Sequence, residues 1–144
     1  MGNRTFYNEI LTEHNLNPSN RGEIKDANLI LNGVNPSCGD DITLLLRVND
    51  QGIIEDGGFT GDGCAISQAS ADMMLDLIIG EEKETALDLA DIFIRMIKSD
   101  VTEEEKERLM EAVSLEDISH MPARVKCAEL GWRTLQEMLD KSHS

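Results

Sequence analysis

After a first short helical stretch, the hydrophobic pattern of this chain switches from strand to helix period at Gly63, and that order restricts its fold more than any other feature. From about Ala27 to Thr60 the periodicity is that of short strands; after Gly63 it is helical to the end. Asp41 to Asn49 is the clearest strand, with Ile42, Leu44, Leu46 and Val48 alternating with Asp41, Thr43, Arg47 and Asn49 as on a half-buried strand. Strand-like stretches flank it, near Ala27 to Val34 and from Ile53 to about Thr60. Asp50-Gln51-Gly52 reads as a hairpin turn, and such short connections imply antiparallel pairing. Strands followed by helices predict an α+β fold: a small three-stranded antiparallel sheet with helices packed on one face.

The helical part divides at its punctuation. Ala65 to Ile79 is one helix, ended by Gly80. Thr85 to Lys98 is a second, with Leu87, Ala90, Ile94 and Ile97 on one stripe. Thr102 followed by Glu105 is a capping box that opens a short third helix. The last runs from about Pro122 to Lys141, with Ala128, Trp132, Leu135 and Leu139 inward. A further helix is expected over residues 3 to 15, from the spacing of Phe6, Ile10 and Leu11 with Tyr7 nearby, followed by a loop from Asn15 to Gly22. At 144 residues the expectation is one domain over 1–144. Aromatic residues make up only 3%, so the core must rest on Leu, Ile, Val and Met.

A formal charge of −15 argues against non-specific nucleic-acid binding and against anionic membranes. Most of these charges are expected to solvate helix faces. No apolar run approaches the length of a membrane span, and the N-terminus lacks the apolar core of a signal peptide. With three cysteines, an odd number, the expected location is the cytoplasm, with the thiols reduced.

Those cysteines carry the chemistry. Cys38-Gly39-Asp40 lies in a loop between two strands, Cys64 follows Gly61-Asp62-Gly63 at a helix start, and Cys127 lies in the early turns of the last helix. Three thiolates and one carboxylate make a full tetrahedral zinc set, or a cradle for a sulfur-rich intermediate. At a helix N-terminus the dipole and free N–H groups favour the Cys64 thiolate. Taken alone, Cys127 reads as a small buried hydrophobe, and the spacing matches no zinc finger. Zinc with these four ligands carries a formal −2, which calls for cationic or N–H partners. Arg124, three residues before Cys127, is a candidate; the alternative is a surface Arg paired with a carboxylate such as Glu129. His14, His120 and His143 are expected at the surface.

Three blocks together resemble a known family: Asn35-Pro36-Ser37-Cys38-Gly39-Asp40, then Gly61 to Ser70, then Arg124-Val125-Lys126-Cys127-Ala128 with Leu130 and Trp132. They are similar to the IscU-like (NifU N-terminal-like) family, and more narrowly to its SufU branch. Scaffolds of the IscU type carry a His where this chain has Lys126. They also carry a Leu-Pro-Pro-Val-Lys segment that is missing here, and a shorter stretch between the second and third cysteines. The extra length here falls around Ser99 to Asp117.

The resemblance implies a zinc-dependent sulfurtransferase acting in iron–sulfur cluster assembly. Zn2+ would be bound by Cys38, Asp40, Cys64 and Cys127, and Cys38 would accept persulfide sulfur. The implied partners are a SufS-type cysteine desulfurase, which itself carries pyridoxal phosphate, and downstream Suf cluster-assembly proteins. A monomer is expected. The alternative is an IscU-type scaffold, in which the same residues hold iron or an iron–sulfur cluster. A purely structural zinc is a third reading, disfavoured by the long gaps and the carboxylate.

Overall fold

The computed structural model describes residues 9–143. A first helix, α1, spans Glu9–Leu16; the part of the expected helix that holds Phe6 and Tyr7 lies outside the described residues. Three strands follow: β1 (Leu29–Asn35), β2 (Asp40–Val48) and β3 (Ile54–Asp62). They form one antiparallel sheet in the order β1-β2-β3. The hairpin between β2 and β3 closes as its residues require. Asn49 Oδ1 accepts the amides of Gln51 and Ile53 at 2.9 and 3.0 Å, and Gly52 takes a left-handed φ of +80°.

The sheet's inner face is built by the alternating residues. Ile42, Leu44 and Leu46 of β2 are buried, as is Phe59, the partner of Leu44 on β3. Leu45, on the opposite face, is buried as well. Its β3 partner is Gly58, where the Gly22 carbonyl and Ile24 lie so close that a Cβ would collide. Gly22 N–H bonds Phe59 O at 2.7 Å and Phe59 N–H bonds Asn20 O at 3.0 Å, so this loop also satisfies part of the β3 edge.

Helices cover the inner face. α2 (Ala65–Ile78) and α3 (Lys83–Ile97) are followed by the short α4 (Glu103–Arg108), and α5 (Pro122–His143) closes the chain. α5 crosses β1 at Gly33, where a side chain would strike Thr134 and Leu130, so the absence of a Cβ there allows the close approach. Trp132 of α5 stacks on Phe93 of α3, with centroids 4.3 Å apart and planes 6° from parallel. Its indole N–H bonds Ser70 Oγ at 2.9 Å, and Ser70 Oγ donates to the Ala128 carbonyl at 2.7 Å. Those two bonds tie α5 to α2 inside the core.

The expected capping box is present: Thr102 Oγ1 accepts the Glu105 amide at 3.1 Å, and Glu105 accepts the Thr102 amide at 3.1 Å. Between α4 and α5 lies a 3-10 segment, Met110–His120, that the sequence reading did not resolve. It buries Ala112, Leu115 and Ile118, a spacing of three that brings successive side chains onto one face when there are three residues per turn.

Candidate metal centre

The strand ends and helix starts bring the chosen residues together at one edge of the sheet. Asp40 opens β2 and pairs across to Asn35 at the end of β1, with Cys38 in the turn between them. Cys64 is the N-cap of α2. Cys127 lies in the second turn of α5 and is fully buried, whereas Cys38 and Cys64 are half-buried. Ligand atoms of Cys38, Asp40 and Cys127 all lie within 4.8 Å of one another. Cys64 falls outside that tightest group, but it and Cys38 are both near enough to Cys127 to raise its pKa.

Asp40 is fully buried, and its carboxylate is held from three sides. Oδ1 accepts the Cys64 amide at 2.8 Å and the Ser67 hydroxyl at 3.1 Å. Oδ2 accepts Asn35 Nδ2 at 3.2 Å. Burial works against the charged form, but these donors and the Cys127 thiol outweigh it and hold the carboxyl below its usual range. Asp40 therefore stays a carboxylate at neutral pH.

The thiols divide by environment. Burial, and then the neighbouring Cys38 and Cys64 and the Asp40 carboxylate, which accepts from the thiol, push Cys127 well above its ordinary pKa. A buried thiol that resists ionising alone, set beside two other thiols and a carboxylate, is a donor set whose charge needs a cation. Cys64 Sγ accepts the Ser67 amide at 3.4 Å, the contact by which it caps α2. The Cys38 thiol faces the Ala123 carbonyl at 3.8 Å. Gly63 has no room for a side chain: a Cβ would collide with Ser67 Oγ and lie 3.1 Å from Asp40 Oδ1.

Asn35 and Ser67, which the sequence reading assigned no role, both hydrogen-bond the Asp40 carboxylate. Asn35 also lies with its Nδ2 3.7 Å from Cys127 Sγ. Arg124 sits half-buried in the first turn of α5, one turn before Cys127. Glu129, the carboxylate weighed as its partner, accepts Arg133 Nε at 3.0 Å.

His14 is not the surface residue expected. It is buried, with Nδ1 2.6 Å from Asp72 Oδ2 and Nε2 2.7 Å from Glu111 Oε1. Desolvation lowers its pKa, but the hydrogen bonds to Asp72 and Glu111 overcome this and raise it above the ordinary value. His14, Asp76 and Glu111 also offer ligand atoms within 4.8 Å of one another, although both imidazole nitrogens are already bonded to carboxylates. His120 is exposed, as expected.

With this geometry in view, the likeness to known proteins has a structural basis. Residues 6–141 match the NifU-like N-terminal domain, and the chain belongs to that family. It is 42% identical over 138 residues to the iron–sulfur cluster assembly scaffold protein IscU of Thermotoga maritima, covering 96% of this chain and 95% of that protein. It is 38% identical over 137 residues to the zinc-dependent sulfurtransferase SufU of Bacillus subtilis, covering 95% and 91%. Its fold superposes with a TM-score of 0.87 on the crystal structure of a SUF-system scaffold protein from Fervidobacterium islandicum, at 34% identity over 94% of this chain and 98% of that one. The chain is thus a member of the IscU/SufU-like group of iron–sulfur cluster assembly proteins. Among the described residues, no helix is long and apolar enough to cross a membrane.

Proposed function

We propose that this protein is a zinc-dependent sulfur transfer protein, in which Cys38 accepts persulfide sulfur from a SufS-type cysteine desulfurase in the cytoplasm. The observation that carries the reading is the division of the site. Cys38, Asp40 and Cys127 converge with Cys64 beside them at the start of α2, and of the three thiols Cys38 alone lies on a turn rather than in a helix or at its cap. Gly39, with φ of +72°, makes that turn, and nothing lies within 4 Å of where its Cβ would be.

Cys38, Asp40, Cys64 and Cys127 would hold Zn2+, which keeps thiols deprotonated near neutral pH and protects them from oxidation. The fit rests on the donors: three sulfurs suit zinc, and Asp40 arrives already ionised and oriented by Asn35, Ser67 and the Cys64 amide. Arg124 supplies positive charge near a site of formal −2.

In the transfer step the Cys38 thiolate attacks the outer sulfur of the desulfurase persulfide. A new S–S bond forms at Cys38, the partner's S–S bond breaks, and the electron pair leaves on the partner's cysteine sulfur. The outer sulfur keeps its proton, and no external oxidant or reductant enters. Burial of Cys127 and the helix position of Cys64 keep these two in place while Cys38 moves.

The test is alanine production from cysteine by a SufS-type desulfurase with reductant present. Zinc-loaded protein is expected to accelerate turnover strongly; Cys38→Ser and metal-stripped protein are expected to give none of that acceleration. Arg124→Ala should retain less zinc. No acceleration with a competent desulfurase would overturn the reading in favour of a scaffold. That second reading is favoured by the 42% identity to a protein named as IscU, and anaerobic cluster assembly with transfer to an apo-protein would test it.

A further inference from the structure

The four donors of the candidate metal centre are not held alike. Cys127 is fixed by its burial in α5, and Asp40 by strand pairing and three hydrogen bonds. Cys64 is half-buried and is reached through Gly61-Asp62-Gly63, a link with glycine at both ends and an exposed Asp62 between them. No side chain of this link packs against the core. Gly61 takes a left-handed φ of +107°, and a Cβ there would collide with the Asp41 carbonyl. Packing does not explain how such a link keeps one course.

Two side chains outside the donor set hold it by its carbonyls. Arg21 Nη2 donates to Gly61 O at 2.6 Å, and Nη1 donates to Gln68 Oε1 at 2.8 Å. Gln68 Nε2 donates to Gly63 O at 2.8 Å. The Gln68 amide is thus bonded at both ends, which fixes its orientation. Arg21 is anchored in turn. On either side of it, Asn20 O accepts the Phe59 amide and Gly22 N–H bonds Phe59 O. Its guanidinium lies 5.7 Å from the centre of the Phe59 ring. The planar guanidinium presents two donors in a fixed fork, so it can hold a carbonyl and an amide oxygen together. Gln68 lies one turn along α2 from Cys64, and its backbone amide bonds Cys64 O at 3.1 Å. The bonds therefore run from the loop on β3, across both ends of the link, to the first turn of α2.

We propose that Arg21 and Gln68 are positioning residues of the metal centre. By clamping Gly61-Asp62-Gly63 they set where Cys64 presents its sulfur to the metal and its amide to Asp40. The Cys64 amide makes the shortest of the hydrogen bonds to Asp40, at 2.8 Å, so release of the link disturbs two of the four donors at once. The inference rests on the reading of Cys38, Asp40, Cys64 and Cys127 as metal ligands. It does not depend on sulfur transfer, so its test runs without a desulfurase.

Zinc affinity is measured by competition with a chromophoric chelator, and Co2+-loaded protein gives absorption bands that report coordination geometry and thiolate bonding. Arg21→Ala and Gln68→Glu should each lower zinc affinity about tenfold or more, equivalent to about 1.4 kcal/mol for each factor of ten, and should shift the Co2+ bands. Arg21→Lys keeps a charged donor without the fork and should fall between the native protein and Arg21→Ala. Gln68→Glu separates positioning from a plain tie between loop and helix. Its carboxylate keeps the contact with Arg21 as an ion pair but has no proton to donate to Gly63 O. Urea unfolding of the metal-free proteins reads stability apart from the metal, and Gln68→Glu should retain the native midpoint. Native zinc affinity and native Co2+ bands in Arg21→Ala and Gln68→Glu would overturn the proposal. So would a loss of affinity in Gln68→Glu matched by an equal loss of metal-free stability. A native protein that binds neither metal would overturn the metal reading itself, and this inference with it.

Discussion

Replacing His14 with alanine tests whether a buried ion pair, rather than packing alone, fastens the first helix. In the native protein Asp72 is 1% exposed and its two oxygens have different partners. Oδ1 accepts the Asn20 backbone and side-chain amides at 2.8 and 3.0 Å; Oδ2 has His14 at 2.6 Å. His14→Ala leaves Oδ2 buried without that partner, a change of the kind that costs about 3–5 kcal/mol when one member of a buried pair is removed. The surviving Asn20 bonds place the expected loss near the lower end, about 3 kcal/mol, or a fall of roughly 6–12 °C in Tm for a chain of this length. Glu111, by contrast, has a side chain 58% exposed, so Glu111→Gln should cost under about 1 kcal/mol. The pH dependence has a definite sign. His14 has a raised pKa in the folded state, so its ionic contribution is complete below about 6.5, its unfolded value, and is lost as pH rises through the folded value. The gap between native and His14→Ala stability should therefore be widest near pH 6 and shrink in alkali, keeping only the neutral hydrogen bond. Urea unfolding of both zinc-loaded proteins across this range measures it. A gap below about 1 kcal/mol at pH 6, or one that grows with pH, would refute the argument. Asp72→Asn in the His14→Ala background should add less than it does alone, because the two side chains act as a unit.

Substitutions at two further positions probe the site and the core. Gly63→Ala puts a methyl into the space of Ser67 Oγ and close to Asp40, so it should lower zinc affinity by about 10–100-fold, read by competition with a chromophoric chelator. Unchanged affinity would show that Asp40 does not need Ser67. Trp132→Phe retains a ring against Phe93 but removes the donor to Ser70, and should cost about 1–2 kcal/mol in denaturant unfolding; Trp132→Ala should cost about 3–5 kcal/mol. Equal losses for the two would mean that the indole N–H, not the stacked ring, holds α5 on α2.

What the sequence showed plainly was whatever depends on neighbours in the chain. The β2 alternation, the Gly52 turn and the Thr102 cap are local, and each lies within a residue or two of its expected place. The cysteine constellation was legible because its chemistry is unusual, even though only the fold brings its members together. Leu45 broke the alternation because a loop more than twenty residues away covers it. His14 looked like a surface residue because its partners lie 58 and 97 positions on. Asn35 and Ser67 stood inside the quoted motifs without a role, since an amide and a hydroxyl take their function from where Asp40 lands.

The segment around Ser99 to Asp117 shows why charge density misleads. It carries the extra length and is highly charged, and many of its ions are paired: Lys106 with Glu103 and Glu116, Glu105 with Arg95, Arg108 with Asp88. Exposed pairs of this kind contribute little, and salt screens them. The segment is held instead by Leu109, Ala112, Leu115 and Ile118, each at most 1% exposed. Burying a leucine or isoleucine contributes about 1.5–3 kcal/mol, so three such side chains outweigh the surface pairs. The signal was present as Ala112-x-x-Leu115-x-x-Ile118, but a period of three fits neither the strand nor the α-helix template. The same segment supplies Glu111 to His14, so it also helps to seat the first helix on α2. The insertion is therefore a packed element of the core, and removing it should expose α2 and α3 rather than merely shorten a loop.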